Sequence, residues 1–289
     1  MKAGHWLPGV FAAGLALIAC WASVPGGDAV AFEAERTRRA FTGSFVARLV
    51  SLESGSGTSV IAHLDDCYLP VWRQLRADGV LTSVSVFELS YYDSSIVSTS
   101  ICEYLVLAEI GQDISPADLL DAEKSSACQG SQNTPGFSVL RSAHMLCTPN
   151  SCYGMPEPGH RDGGAQLDYL VEFIAVDDAP DLLAKYRELV SEYFGPANGV
   201  LVENGMLHCF IALENTEVLL SSHEAVPWNQ IHISDDWDAG GDVDWDSVYV
   251  EVFQSALSCD LDSVWAELPP TDDSRHDTRG RLIPHLCVR

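Results

Sequence analysis

Apolar positions along this chain fall into short runs that alternate with helical periodicities. Phe45-Val46-Ala47-Arg48-Leu49-Val50 has the length of a strand. From about Ser59 to Ala77, residues Ile61, Leu64, Tyr68, Trp72 and Leu75 recur near one face of a helix, which Asp78-Gly79 ends. Two further strands are predicted from Val80 to Leu89 and from Ile101 to Ile110. A short helix capped at Ser115-Pro116 and a strand from Phe137 to Leu146 complete the order βαββαβ.

The same order returns further on. Leu170-Val171-Glu172-Phe173-Ile174-Ala175 reads as a strand, Pro180 to Phe194 as a helix, and Met206 to Leu213 as a strand after Asn204-Gly205. Asn229 to Ser234 is the third strand, Trp245 to Leu257 a helix behind an Asp-rich cap, and Leu282 to Val288 a last strand. Spacing supports a repeat more than identity does. Gly79 precedes Glu88 by nine residues (88 − 79), as Gly205 precedes Glu214 (214 − 205); Gly79 precedes Leu105 by 26, as Gly205 precedes Ile231. Strand register tolerates no odd slip, because one residue of shift turns every side chain to the other face.

With "PVWRQLRADGVLTSVSVFEL" after the first helix begins and "PWNQIHISDDW" on the third strand of the second copy, the chain resembles tandem members of the dimeric α/β-barrel superfamily, of the antibiotic-biosynthesis-monooxygenase-like type. The resemblance covers about residues 44 to 289. It implies an α+β fold of two ferredoxin-like βαββαβ units packed sheet to sheet as an intramolecular dimeric α/β barrel around a cavity, with helices outside. Residues 41–149 would form the first unit, 150–166 a linker rich in Pro, Gly, Ser and Asn, and 167–289 the second unit. The superfamily includes heme-degrading and quinone-forming monooxygenases, isomerases, cyclases, dehydratases and members without known activity, so the resemblance fixes no chemistry.

Strand alternation nominates the side chains that would reach such a cavity. In the second copy, Leu207, Cys209, Ile211, Leu213, Ile231 and Ile233 form the more apolar sets and are expected against the helices. His208, Phe210, Trp228, Gln230 and His232 would then face the cavity. His208 aligns with Thr82, His232 with Val106 and Gln230 with Tyr104, so both histidines belong to one copy. His208 and His232 are the candidate catalytic base and hydrogen-bond donor. Gln230, Phe210, Trp228, Tyr104 and Val106 are the candidate substrate-binding residues, whose apolar wall suits an aromatic or polyketide-like ligand. Three readings follow: His-assisted acid/base or cofactor-free oxygenation chemistry on a small, largely apolar ligand, non-catalytic ligand binding or a scaffold role in the same fold, and heme binding or degradation.

Charge and termini narrow the setting. With 16 Lys and Arg against 41 Asp and Glu, the formal charge is −25, which repels phosphate backbones and leaves nucleic acid an unexpected partner. Met1-Lys2 and an apolar run from Leu7 to Ala19 read as a secretory signal within residues 1–31, too short to span a bilayer. Leu17-Ile18-Ala19-Cys20 resembles a lipobox that would tether the protein to a membrane through lipidated Cys20; Ala29-Val30-Ala31 offers a competing cleavage site. Either places the protein outside the cytoplasm, as a periplasmic, tethered or secreted protein. Eight cysteines remain beyond Cys20. Only Cys147 and Cys152, bracketing Thr148-Pro149-Asn150-Ser151, stand close enough to nominate a disulfide.

Other signals are weaker. The run Asp235-Asp236-Trp237-Asp238 with Asp242, Asp244 and Asp246 fails the EF-hand spacing, since Ser247 and Phe253 occupy the required glycine and glutamate places, and it reads as helix capping. No C-x-x-C pair, nucleophile elbow, Walker loop or dinucleotide fingerprint occurs, so no metal and no cofactor is expected. His144 and His285 sit on last strands, His63 on a helix beside Asp65 and Asp66, and His160 and His223 in loops.

Overall fold

The computed structural model describes residues 40–53, 60–91, 101–124, 137–159, 167–176, 180–203, 207–222, 228–235 and 275–289. The expected signal segment with Cys20, His160, His223, the Asp cluster beyond Asp235 and the helix predicted from Trp245 to Leu257 lie outside these residues.

The β-branched and aromatic runs form β1 (Ser44–Glu53), β2 (Leu81–Tyr91), β3 (Ile101–Ile110) and β4 (Phe137–Tyr153), then β5 (Asp168–Ile174), β6 (Phe210–Ser221), β7 (Gln230–Asp235) and β8 (Arg275–Leu282). All are joined antiparallel in one closed barrel in the order β1-β3-β2-β8-β5-β7-β6-β4. The first four strands therefore run β4-β1-β3-β2 and the last four β8-β5-β7-β6, the same arrangement twice. The two groups meet edge to edge, β2 on β8 and β4 on β6, which closes the described strands into the barrel.

Register repeats as well. Val86 pairs with Val106 and Ala212 with His232; Glu88 pairs with Tyr104 and Glu214 with Gln230, so each member moves by 126 residues (232 − 106, 214 − 88). The helices keep that offset. In the first group α1 (Val60–His63) passes through a π-helical turn, Leu64–Tyr68, into α2 (Leu69–Ala77). After α3 (Pro116–Lys124), the later helix is α4 (Pro180–Leu189), a π turn at Val190–Phe194, and α5 (Gly195–Glu203). Both π turns immediately precede the residue before a proline, Pro70 or Pro196. Proline lacks an N–H and its ring clashes with the carbonyl four residues back, so the α ladder widens there instead of continuing.

Three cores result. Phe45, Phe87 and Leu107 join Val171, Ile211 and Ile231 in the barrel interior. Val46, Tyr104, Val106 and Trp72 pack between the first sheet group and its helices. Phe210, Ala212, Tyr186 and Leu201 do the same in the second. The face assignment from sequence is thereby reversed: Cys209, Ile211, Leu213, Ile231 and Ile233 point into the barrel, while Phe210, Tyr104 and Val106 lie under helices.

Several boundaries also change. The second helical run continues past Phe194 to Glu203, β6 begins at Phe210 and extends to Ser221, and β4 takes in Asn150 to Tyr153 from the expected linker. The last strand ends at Leu282, because Pro284 opens a 3-10 turn, Pro284–Leu286; the chain then returns to β2 through a Val84↔Val288 bridge. Cys147 and Cys152 form the expected disulfide, with Cα atoms 6.0 Å apart. It closes an outward bulge of β4, since Cys147 pairs with Leu213 and Cys152 with Ile211, only two residues apart on β6.

Candidate functional site

His232 stands at the centre of β7, where alternation turns it and Gln230 toward the helices. Glu172 faces it across the β5–β7 ladder, and its Oε2 lies 3.5 Å from His232 Nδ1. On the other side, His232 Nε2 and the Tyr186 hydroxyl of α4 are 3.3 Å apart, with the rings stacked at 6.0 Å and 29°. Phe210 meets the imidazole edge-on at 6.0 Å. This is a packed polar layer between sheet and helix: each ring nitrogen already faces a polar group, as burial of an imidazole demands.

The first sheet group holds a different solution at the matching place. Arg48 stands opposite Val106, and its guanidinium grips Glu123 of α3 with contacts of 2.6 and 3.0 Å. Trp72 Nε1 donates to the same carboxylate at 2.8 Å. Burial pushes the nearby Tyr68 phenol up, an effect opposed by Arg48.

His208 precedes β6 rather than lying on it. Its side chain is 56 % exposed, and its Nδ1 lies 3.7 Å from Asp235 Oδ2. Asp235 accepts the His208 backbone N–H at 2.7 Å and the Cys209 N–H at 3.4 Å, which fixes the entry to the strand. The structure therefore does not bring His208 and His232 together on an interior face: one meets water, and the other lies beneath α4. Gln230 shares the His232 face, and Tyr104 and Val106 belong to the first helix-covered core.

Trp228 is the one candidate that enters the barrel core, and it is 1 % exposed. Its ring centroid is 5.8 Å from that of Phe173, and the Arg141 guanidinium carbon lies 4.8 Å above the indole. Arg141 also donates to the Trp228 carbonyl at 2.8 Å and to Ser221 Oγ at 3.3 Å, clamping residue and ring together. The indole Nε1–H is buried and has no hydrogen-bond partner among the described residues. Leaving such a donor unmet costs about 1–3 kcal/mol. Trp228 stands just before β7 begins: β6 pairs with β7 only as far as Glu214, opposite Gln230, and then follows β4 alone to Ser221.

Glu172, Tyr186, Arg141 and Phe173 were not singled out by sequence reasoning. Glu172 and Arg141 had a readable signal, each a lone charge inside an apolar strand run. Tyr186 had none, because its partner depends on where α4 lands.

His144 has its two ring nitrogens 2.8 Å from Ser44 Oγ and 2.8 Å from Thr216 Oγ1, and burial holds it below the ordinary histidine value. Burial pushes the Cys209 thiol far up, with Asp235 adding to the shift, so it is no nucleophile at neutral pH. Among the described residues no group of three His, Cys, Asp or Glu side chains could hold a metal ion. Nor is any described helix long and apolar enough to cross a membrane.

No family model matches the sequence, and no curated protein matches it. Among solved structures, the chain is similar to a heme-binding protein from Thermus thermophilus, with a TM-score of 0.40 and 12 % identity over 86 % of this chain and 95 % of that one. It is also similar to a variant of chlorite dismutase from Candidatus Nitrospira defluvii, with a TM-score of 0.43 and 10 % identity over 84 % and 92 % of the two chains. A second variant of that dismutase gives 0.43 and 8 % over 86 % and 94 %. As a test for heme, His232 has the carboxylate on Nδ1 that orients an axial imidazole, but Tyr186 occupies its Nε2, so the described side chains do not fit an iron at that nitrogen.

Proposed function

We propose that this chain is an exported protein of two diverged ferredoxin-like units, forming an intramolecular dimeric α/β barrel that binds a small, largely apolar ligand at the Trp228 end. The common offset of 126 residues in β-register, π turns and helix-breaking prolines supports the tandem origin. The signal-like N-terminus supports export, with Cys20 as a membrane tether if it is lipidated.

One observation carries the binding reading. Trp228, buried in the barrel core, has its indole held by Arg141 and flanked by Phe173, an aromatic group of the kind that lines sites for flat apolar molecules. His208 and His232 have no part in it as a catalytic pair, because they occupy different environments. Glu172, His232 and Tyr186 serve to dock α4 on the sheet.

The test is saturable binding of the fluorescent apolar probe N-phenyl-1-naphthylamine to the full-length protein. Trp228→Ala should weaken it about 10-fold or more, whereas His208→Ala and His232→Gln should leave it within about 2-fold. Equal affinity in Trp228→Ala would overturn the reading. A Soret band on adding hemin, lost in His232→Ala, would favour the heme reading instead.

A further inference from the structure

Three neighbouring strands, β1, β4 and β6, bring a hydroxyl, an imidazole and a second hydroxyl into line on the outer face of the barrel. Phe45 and Met145 turn into the barrel core, so alternation puts Ser44 of β1 with His144 and Leu146 of β4 on the opposite face. Ser44 stands opposite Leu146 and diagonal to His144, and its Oγ is 2.8 Å from His144 Nε2. On the far side β6 bulges: His144 pairs with Glu217 and Met145 with Asn215, leaving Thr216 as the extra residue. The bulge aims the Thr216 hydroxyl back at the ring, 2.8 Å from Nδ1.

That hydroxyl donates its one proton to the His144 carbonyl at 3.2 Å, so it meets Nδ1 as an acceptor. Nδ1 therefore carries the ring proton, Nε2 keeps its lone pair, and Ser44 is the donor in the bond between them. Burial holds the imidazole below the ordinary histidine value against the opposing effect of Glu217, which keeps it neutral and able to take a proton at neutral pH. Ser44 and His144 are only partly buried, so the pair is open to solvent, and Leu146 beside Ser44 is an exposed apolar side chain.

We propose that Ser44 is a nucleophile toward small uncharged esters, with His144 as its general base and Thr216 as the positioning residue that sets the tautomer of that base. Ser44 Oγ bonds to the acyl carbon as the bond from that carbon to the alcohol oxygen breaks, and His144 Nε2 passes the serine proton to the departing oxygen. Water, giving its proton to the same nitrogen, then releases the acid and restores Ser44. Glu217 opposite His144 and the formal charge of −25 disfavour anionic esters.

The probes are p-nitrophenyl acetate, for turnover, and diisopropyl fluorophosphate, whose serine adduct water does not release, both with the full-length protein. Ser44→Ala and His144→Gln should each lower nitrophenol release about 100-fold, with circular dichroism unchanged. Thr216→Val should lower kcat about 10-fold and leave KM within about 2-fold, and Thr216→Ser should restore it. Peptide mass spectrometry of the wild type should place the fluorophosphate adduct on Ser44, a readout that stands even if a variant fails to fold. An adduct elsewhere or none, no release above buffer, or release undiminished in a folded Ser44→Ala would overturn the proposal.

Discussion

Glu172 and His232 face each other across the β5–β7 ladder with 3.5 Å between carboxylate and imidazole, in the register position that Arg48 and Val106 hold in the first sheet group. The two groups thus carry side chains of opposite charge at one structural address, Arg48 buried and Glu172 partly buried. Arg48 pairs with a helix carboxylate and Glu172 faces a strand imidazole, and both arrangements tie helices to the outer face of the barrel.

For the second arrangement, Tyr186→Phe should lower the unfolding free energy by about 1 kcal/mol, the net worth of one hydrogen bond. Urea unfolding followed by circular dichroism measures this. Binding of N-phenyl-1-naphthylamine should be unaffected, because Tyr186 lies on the helix side of the sheet.

The first arrangement should be far more sensitive. Glu123→Ala leaves the Arg48 guanidinium buried and unpaired, at a cost of roughly 3–5 kcal/mol. Replacing both partners, as Arg48→Met with Glu123→Leu, should recover most of that loss in the same assay. Equal destabilisation by single and double variants would contradict the account of the pair.

The disulfide-closed bulge of β4 meets α5 at close range. A Cβ built on Gly195 would fall 2.1 Å from the Asn150 carbonyl oxygen, so Gly195→Ala forces backbone apart and should cost roughly 1–3 kcal/mol. Replacing Cys147 and Cys152 by alanine should cost about 2 kcal/mol through the short loop they close. Because the bulge and α5 share this contact, the two losses should add to less than their sum.

Burial raises the Glu109 carboxyl above its ordinary value, an effect opposed by the hydrogen bond from Ser83 and by Arg289. A raised folded-state value means that folding takes up a proton, so stability falls as pH rises from the unfolded carboxyl's range through the folded one. Glu109→Gln should abolish that fall. Thermal unfolding across acid and neutral pH should show the variant gaining on wild type as pH rises, with the gain shrinking in acid. A gain that grows in acid would reverse the assigned sign.

The architecture was largely legible in the sequence, and the direction of its side chains was not. Strand runs such as Ile101 to Ile110 stand where the sequence puts them, and the paired positions of β2–β3 and β6–β7 differ by 126 residues, because register and length leave a mark on hydrophobic pattern. Orientation left no such mark. β7 is buried along its whole length, with helices over one face and the barrel core under the other, so alternation carries no contrast between water and protein. The more apolar set, Ile231 and Ile233, fills the barrel interior, while His232 and Gln230 take the helix side, where polar partners are available. Pro70 and Pro196 gave a readable warning of the π turns, and Pro284 of the early end of β8. Trp228 reaches the barrel core although the alternation rule behind its nomination failed, because it precedes β7 and does not follow that strand's pleat.

The most direct measurement is calorimetric titration of the full-length protein with N-phenyl-1-naphthylamine at several temperatures. Binding in the barrel predicts saturation at one probe per chain, a negative heat-capacity change from buried apolar surface, and loss of the isotherm in Trp228→Ala. Heats of dilution alone, or an isotherm that survives Trp228→Ala unchanged, would contradict it.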